Sequence, residues 1–174
     1  MGKSTVLARL RHALPDLWMS VSATTRAPRH GEVDGSNYFF VDRERFAQLV
    51  ADGEMLEWAE FAGNLYGTPR AGVDDHLVAG QDVLLEIDVQ GARQVRAAYG
   101  DEAVFIFLAP PSFEELARRL IGRGTESDEV RTARLDAARA ELAAEPEFDH
   151  TVVNRDVQLA VSSLVDLLAD QRIQ

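Results

Sequence analysis

The chain has no cysteine and almost no lysine, and its acidic residues outnumber its basic ones. Without cysteine it has no disulfide, thiolate metal site or thiol nucleophile, which is consistent with a cytoplasmic protein. Its 29 acidic and 18 basic side chains give a net charge of −11. Proteins that bind nucleic acids or membrane surfaces generally carry a broad positive field, which this chain lacks the charge to provide. No apolar run approaches membrane-spanning length. We therefore expect neither as a partner, and a homo-oligomer stays open.

Lys3 is the only lysine among the 18 basic residues and lies in the opening sequence MGKSTVLARL. Gly2, Lys3 and Ser4 match the end of the phosphate-binding loop GxxxxGK[ST], and the apolar residues that follow have helical spacing. A compact ammonium reaches phosphates as a point charge, which the wide guanidinium fork does poorly. Codon bias that left one lysine is the alternative explanation.

Two apolar runs, 82–89 and 103–110, have the character of strands buried on both faces, which is typical of a parallel sheet. Each run leads into a segment of helical periodicity, and Ser112 with Glu115 forms a capping box at the second helix. A third run, 150–154, precedes the closing helix. This alternation predicts a single α/β domain with a doubly wound sheet.

Two segments differ from this pattern. Residues 33–80 contain aromatic, alternating pieces around one short helix that Asp42 caps, which predicts a small and mostly antiparallel insertion. Residues 112–147 read as two arginine-rich helices joined by a turn, which predicts a hinged lid.

The densest chemical signal is TTRAPRHGEVDGSNYFFV, from Thr24 to Val41. Proline and glycine favour an irregular loop in which Arg26 and Arg29 can converge on one ligand. A phosphate suits two guanidinium groups, and the hydroxyl of Tyr38 would complete its shell. The alternative is a solvated turn in which the arginines pair with nearby acids.

The pattern TTRxxRxxExxGxxYxFV, together with GKST and RLxxRGTE, resembles the guanylate kinase family over essentially the whole chain. The resemblance implies transfer of the γ-phosphoryl group of ATP to GMP with Mg²⁺ between the phosphates. It also implies an α/β fold of the P-loop nucleoside-monophosphate kinase type with a parallel sheet core. The three expected parts are a core (1–32, 81–111 and 148–174), a GMP-binding subdomain (33–80) and a lid (112–147).

The resemblance also implies a GMP site. Guanine presents N1–H and N2–H₂ side by side, and one carboxylate can accept both, whereas adenine offers no such pair of donors. Glu57 lies where the family has that carboxylate, although a solvent-facing strand residue is the alternative. Asp88 ends an apolar run at the carboxyl edge of the predicted sheet, where ligands collect in open α/β folds, and an ordinary helix cap is the alternative. The full expected set is Ser22, Arg26, Arg29, Glu32, Tyr38, Glu57, Tyr66, Thr68 and Asp88.

For the phosphoryl donor, the resemblance implies ATP contacts from Gly2, Lys3, Ser4, Thr5 and Asn154, with Ser4 on Mg²⁺. The expected catalytic residues are Lys3 and three lid arginines, Arg119, Arg123 and Arg134. Arginines that arrive only on lid closure would stabilise the transferring phosphates and exclude water. The alternative for this segment is a helix covered with surface ion pairs.

The first half of the phosphate-binding loop and its strand do not precede Gly2 in this sequence. In the family the residue before GKST is often valine, and GTG encodes valine but also serves as a bacterial start codon. We hypothesise that Met1 stands for such a valine and that a strand and glycine-rich half-loop lie upstream. A chain that truly began at Met1 would be expected to have weak stability and reduced activity.

Two rival functions stay open at this stage. A guanylate-kinase-like interaction module would keep the fold, lose catalysis and bind protein partners. A kinase for another nucleoside monophosphate would need a residue other than Glu57 facing the base.

Overall fold

The structure is a computed structural model that describes residues 3–121 and 128–171. It divides into two compact units. The terminal unit contains the described residues up to 14 and from 104 onward, and the central unit contains residues 15–103. Within the described ranges, no helix has the length and apolar character needed to cross a membrane.

The terminal unit is built on a parallel strand pair. Its elements are α1 (Lys3–Ala13), β7 (Ile106–Ala109), α5 (Phe113–Ile121), α6 (Asp128–Ala143), β8 (His150–Val153) and α7 (Val157–Gln171). Strands β7 and β8 pair from Ile106 opposite His150 to Ala109 opposite Val153. Helices α1 and α7 pack together, and each contributes buried apolar residues to the unit, such as Val6 on α1.

The elements of the central unit are β1 (Trp18–Met19), β2 (Ala23–Thr24), β3 (Phe39–Phe40), α2 (Arg43–Ala51), β4 (Met55–Phe61), β5 (Asn64–Pro69), α3 (Arg70–Val78), β6 (Val83–Leu84) and α4 (Val89–Tyr99). They form a parallel pair, β1 with β6, and a four-stranded sheet in the order β3-β2-β5-β4. Strand β2 pairs antiparallel with β5 and parallel with β3, and β4 pairs antiparallel with β5.

Helix α2 covers the four-stranded sheet. Asp42 caps the helix as predicted, because its Oδ1 accepts the N–H of Arg45 at 2.7 Å. Phe46 is fully buried on the inner face of α2 and packs with Ala23 and Met55 of the sheet. This core fixes the positions of β2 and β4, the two strands that lead into the candidate site.

A tight turn and a bulge shape the β4–β5 hairpin. Ala62 and Gly63 form the two-residue turn with φ angles of 50° and 76°, which suit a primed hairpin turn. The pairing register shifts between Met55 and Glu57, so the strand loses its alternation there and Met55, Leu56 and Glu57 are all buried. Because of this bulge, an acidic side chain of an edge strand faces inward.

Two structural expectations need correction. The run 82–89 forms only a two-residue strand, and β6 and most of β7 are half-buried instead of buried on both faces. In the described part of the chain, each of these strands pairs with one neighbour, so one edge carries no ladder. The capping box is half formed: Glu115 donates its N–H to Ser112 Oγ, but its carboxylate pairs with Arg118.

Candidate functional site

Arg26 and Glu32 form a two-pronged ion pair in the loop between β2 and β3. Nη1 of Arg26 donates to Oε2 of Glu32 at 3.0 Å, and Nη2 donates to Oε1 at 2.9 Å. The N–H of Arg29 also donates to Oε2 at 2.7 Å. These bonds lower the pKa of Glu32, and the bond to Glu32 raises that of Arg26. Glu32 therefore stays ionised and fixes both the guanidinium of Arg26 and the backbone of Arg29.

Aromatic rings surround the guanidinium of Arg26. Its Cζ lies 5.3 Å from the ring centre of Tyr38 and 5.8 Å from that of Phe40. The Tyr38 and Tyr66 rings meet edge to face at 6.1 Å, and the proximity of Tyr66 adds to the raised pKa of Arg26. Burial raises the pKa of Tyr38, and the charge of Glu86 adds to that shift. The Tyr38 phenol thus stays protonated at neutral pH and keeps its hydrogen-bond donor.

Two threonines before Arg26 hold this loop to β5. The hydroxyl of Thr24 donates to the carbonyl of Leu65 at 2.9 Å and accepts the N–H of Arg26 at 3.2 Å. The hydroxyl of Thr25 accepts the N–H of Leu65 at 2.9 Å. This role was not predicted from the sequence, although the TT pair directly before the first arginine of the motif is a visible signal.

Glu57 is a recessed acid on β4. It is 5% exposed, which excludes the solvent-facing alternative. Thr68 on β5, fully buried and directly opposite, donates its hydroxyl to Oε1 of Glu57 at 2.6 Å. Burial raises the pKa of Glu57, the Thr68 bond opposes that shift, and the nearby negative charge of Asp88 adds to it.

Asp88 begins α4. Its Oδ1 accepts the N–H of Gly91 at 2.8 Å, so the helix-cap alternative is confirmed. Its charge also acts on Glu57, so a second acidic group lies near the recessed carboxylate. Capping and ligand contact are compatible, because a carboxylate has two oxygens and about four acceptor sites.

The remaining expected residues are spread over both units. Ser22 precedes β2 and accepts the N–H of Phe39 through its carbonyl. Lys3, Ser4 and Thr5 are exposed at the start of α1, and Asn154 is buried directly after β8. Arg119 belongs to α5 and Arg134 is exposed on α6, whereas Gly2 and Arg123 lie outside the described residues.

One strand links the two ends of the central site. Tyr66 and Thr68 are two residues apart on β5, so their side chains share a face of the sheet about 7 Å apart along the strand. Tyr66 lies at the arginine end, and Thr68 holds Glu57. The site therefore offers cationic donors for an anion at one end and a buried carboxylate for paired N–H donors at the other.

A site of this kind, on a parallel-stranded α/β fold, is typical of nucleoside-monophosphate kinases. The guanylate kinase family profile matches residues 1–171. Guanylate kinase from Streptomyces kasugaensis is 61% identical over 98% of this chain and 83% of its own length. That from Thermobifida fusca is also 61% identical, over 97% of this chain and 86% of its own length. The chain belongs to the guanylate kinase family.

A solved structure supports the same fold. The crystal structure of guanylate kinase from Anaplasma phagocytophilum superposes with a TM-score of 0.84 and 38% sequence identity. The match covers 98% of this chain and 82% of that chain. The expected P-loop nucleoside-monophosphate kinase fold is thereby confirmed.

Proposed function

We propose that this chain, which carries out the ATP-dependent phosphorylation of GMP to GDP that defines its family, binds GMP in the central unit. The observation that carries the proposal is the arrangement along β5, where Tyr66, beside Arg26, and Thr68, which holds Glu57, are about 7 Å apart on one face. A nucleoside monophosphate has an anion and a base edge separated by a sugar, and this arrangement offers a partner for each.

At the anion end, Arg26 and Arg29 contact the phosphate of GMP and the hydroxyls of Tyr38 and Tyr66 donate to it. The carboxylate of Glu32 is already engaged by Arg26 and by the backbone of Arg29. We therefore assign Glu32 a positioning role: it holds the arginine fork in place before the phosphate arrives, which lowers the entropic cost of binding.

At the base end, the carboxylate of Glu57 accepts N1–H and N2–H₂ of guanine. The bond from Thr68 occupies one acceptor site of Oε1 and leaves further sites for both donors. Ser22, Thr68 and Asp88 supply the further contacts around the base. Because Glu57 is buried, solvent has little access to its carboxylate. A base without the two guanine donors therefore leaves a buried charge unpaired.

At the donor end, Lys3, Thr5 and the N-terminus of α1 bind the phosphates of ATP, with Gly2 and Asn154 as the other contacts. No group of three or more acidic, histidine or cysteine side chains in the described residues could hold a metal ion. Mg²⁺ at phosphates needs only one or two protein ligands, so the exposed hydroxyl of Ser4 suits it. Bound there, Mg²⁺ would neutralise phosphate charge.

The transfer step itself requires charge stabilisation more than covalent chemistry. We assign that role to Lys3 and to the lid arginines Arg119, Arg123 and Arg134, in the three-part division that the sequence predicts. The interaction-module alternative is not favoured, because curated relatives that share about three fifths of the sequence are named guanylate kinase. We also propose that the protein acts in the cytoplasm.

The preference for GMP over IMP is expected to decrease as the pH is lowered. IMP lacks the N2 amino group, so the ratio of the two affinities isolates that contact. Only the ionised form of Glu57 accepts both guanine donors, and because its pKa is raised from the usual 4.5, it becomes protonated at a higher pH than an exposed glutamate does. The preference should be full near pH 7.5 and decline toward pH 5, as calorimetric titrations with both nucleotides would measure.

Titration of the nucleotide phosphate is common to GMP and IMP and cancels in the ratio. A Glu57→Gln variant serves as the control, since its ratio should be low and flat over the same range. A preference that stays constant between pH 7.5 and pH 5 in the unmodified chain would contradict the assignment of Glu57 as an ionised acceptor.

A further inference from the structure

The first turn of α4 lies directly against the carboxylate of Glu57. Gly91 is buried there, and a Cβ added to it would overlap Oε2 of Glu57 and lie 3.0 Å from its Cδ. The same Cβ would lie 3.2 Å from Cβ of Ile87. Since real Cβ atoms are essentially never closer than 3.0 Å to such neighbours, any larger residue at position 91 must displace the carboxylate or the helix.

One turn further along α4, Gln94 holds the strand that carries Glu57. Its Oε1 accepts the N–H of Trp58 at 3.1 Å, and its Nε2 donates to the carbonyl of Trp58 at 2.7 Å. Strand β4 is the edge of its sheet, so Gln94 takes the place of a neighbouring strand at this residue. The residue adjacent to Glu57 is thereby fixed at both of its backbone polar groups.

Gly91 and Gln94 are three residues apart and lie on the same side of α4. Gln94 sets the position of β4 relative to the helix, and Gly91 provides the space into which the Glu57 side chain fits. We propose that this pair positions the Glu57 carboxylate and so determines how well the enzyme distinguishes guanine from bases without the N2 amino group. The inference rests on the proposed role of Glu57 as the base reader.

The same geometry leads us to expect that the discrimination is sensitive to small shifts. Thr68 holds Oε1 from one side, while Gly91 limits Oε2 from the other. A displacement of the carboxylate by about 1 Å is enough to cost a hundredfold in a reaction that depends on aligned groups. The carboxylate of Glu57 must accept hydrogen bonds from both N1–H and N2–H₂. A rotated carboxylate loses one of these two bonds and keeps the other.

The test measures dissociation constants for GMP and IMP with Gly91→Ala and Gln94→Met. Methionine matches the length of glutamine but makes neither bond to Trp58. We expect the GMP-to-IMP preference to fall about tenfold or more in Gly91→Ala and about threefold to tenfold in Gln94→Met. Gln90→Met is the matched control, since Gln90 is an exposed glutamine on the same helix, and its preference should be unchanged.

Thermal unfolding identifies which variants fold. A merely structural role would lower the melting temperature but leave the preference of the folded protein intact. If Gly91→Ala does not fold, Gln94→Met alone decides. If the folded variants keep the full preference while Glu57→Gln loses it, the positioning role is overturned and the base reader stands. If Glu57→Gln also keeps the preference, both assignments are overturned together.

Discussion

Replacing Glu57 by glutamine is expected to weaken GMP binding by roughly 30-fold to 1000-fold, because a buried, charged acceptor of two hydrogen bonds is lost. The hydroxyl of Thr68 donates to Oε1 of Glu57. The amide oxygen of the variant would take that bond and turn its NH₂ group toward guanine, where it would oppose the N–H donors of the base. IMP makes fewer contacts and should lose less, so the GMP-to-IMP preference should collapse.

Calorimetric titration of the chain with both nucleotides measures this effect. Glu60→Gln is the matched control, because Glu60 lies on the same strand and is exposed, and its preference should remain that of the unmodified chain. A Glu57→Gln variant that still prefers GMP to IMP as strongly as before would show that another residue reads the base.

Replacing Arg26 by glutamine is expected to weaken GMP binding about 100-fold or more, because two charge-assisted hydrogen bonds to the phosphate are lost. The change also leaves Glu32 without its guanidinium partner, and its carboxylate would then repel the phosphate. The double variant Arg26→Gln with Glu32→Gln should therefore bind GMP better than the single variant, although still more weakly than the unmodified chain.

Guanosine distinguishes an effect on phosphate binding from an effect on base binding, because it has the base but no phosphate. Its affinity should be nearly the same in the Arg26→Gln variant and the unmodified chain, by competition against GMP. Arg45→Gln, which changes an exposed arginine on α2, should bind GMP normally. If Arg26→Gln weakened guanosine and GMP equally, Arg26 would act on the fold of the site and not on the phosphate.

Local chemistry makes the proposed anion end recognisable in the sequence. Pro28 and the two glycines that follow it in the motif indicate an irregular loop, and two arginines three residues apart in such a loop indicate an anion site. The sequence predicts the pairing of Glu32 with Arg26 only through the solvated-turn alternative. The structure shows that pair half-buried beside aromatic rings, so the pairing is compatible with the proposed phosphate site.

The base end depends on contacts between distant segments. Nothing local to EWAEF shows that a bulge buries Glu57, because the bulge arises from the register of β4 against β5. The clamp of Gln94 on Trp58 joins residues 36 positions apart. Sequence patterns report periodicity within an element, whereas these contacts depend on where two elements meet, so only the structure could reveal them.

The central claim is that this chain has a binding site for a monophosphate of guanine, and a pair of titrations with GMP and AMP tests it most directly. AMP carries the same phosphate and ribose but has no N1–H and no N2 amino group for Glu57. The account predicts saturable binding of GMP and an affinity for AMP at least about 100-fold lower, because the buried carboxylate would be left unpaired. Equal affinities for the two nucleotides, or no binding of GMP, would contradict it.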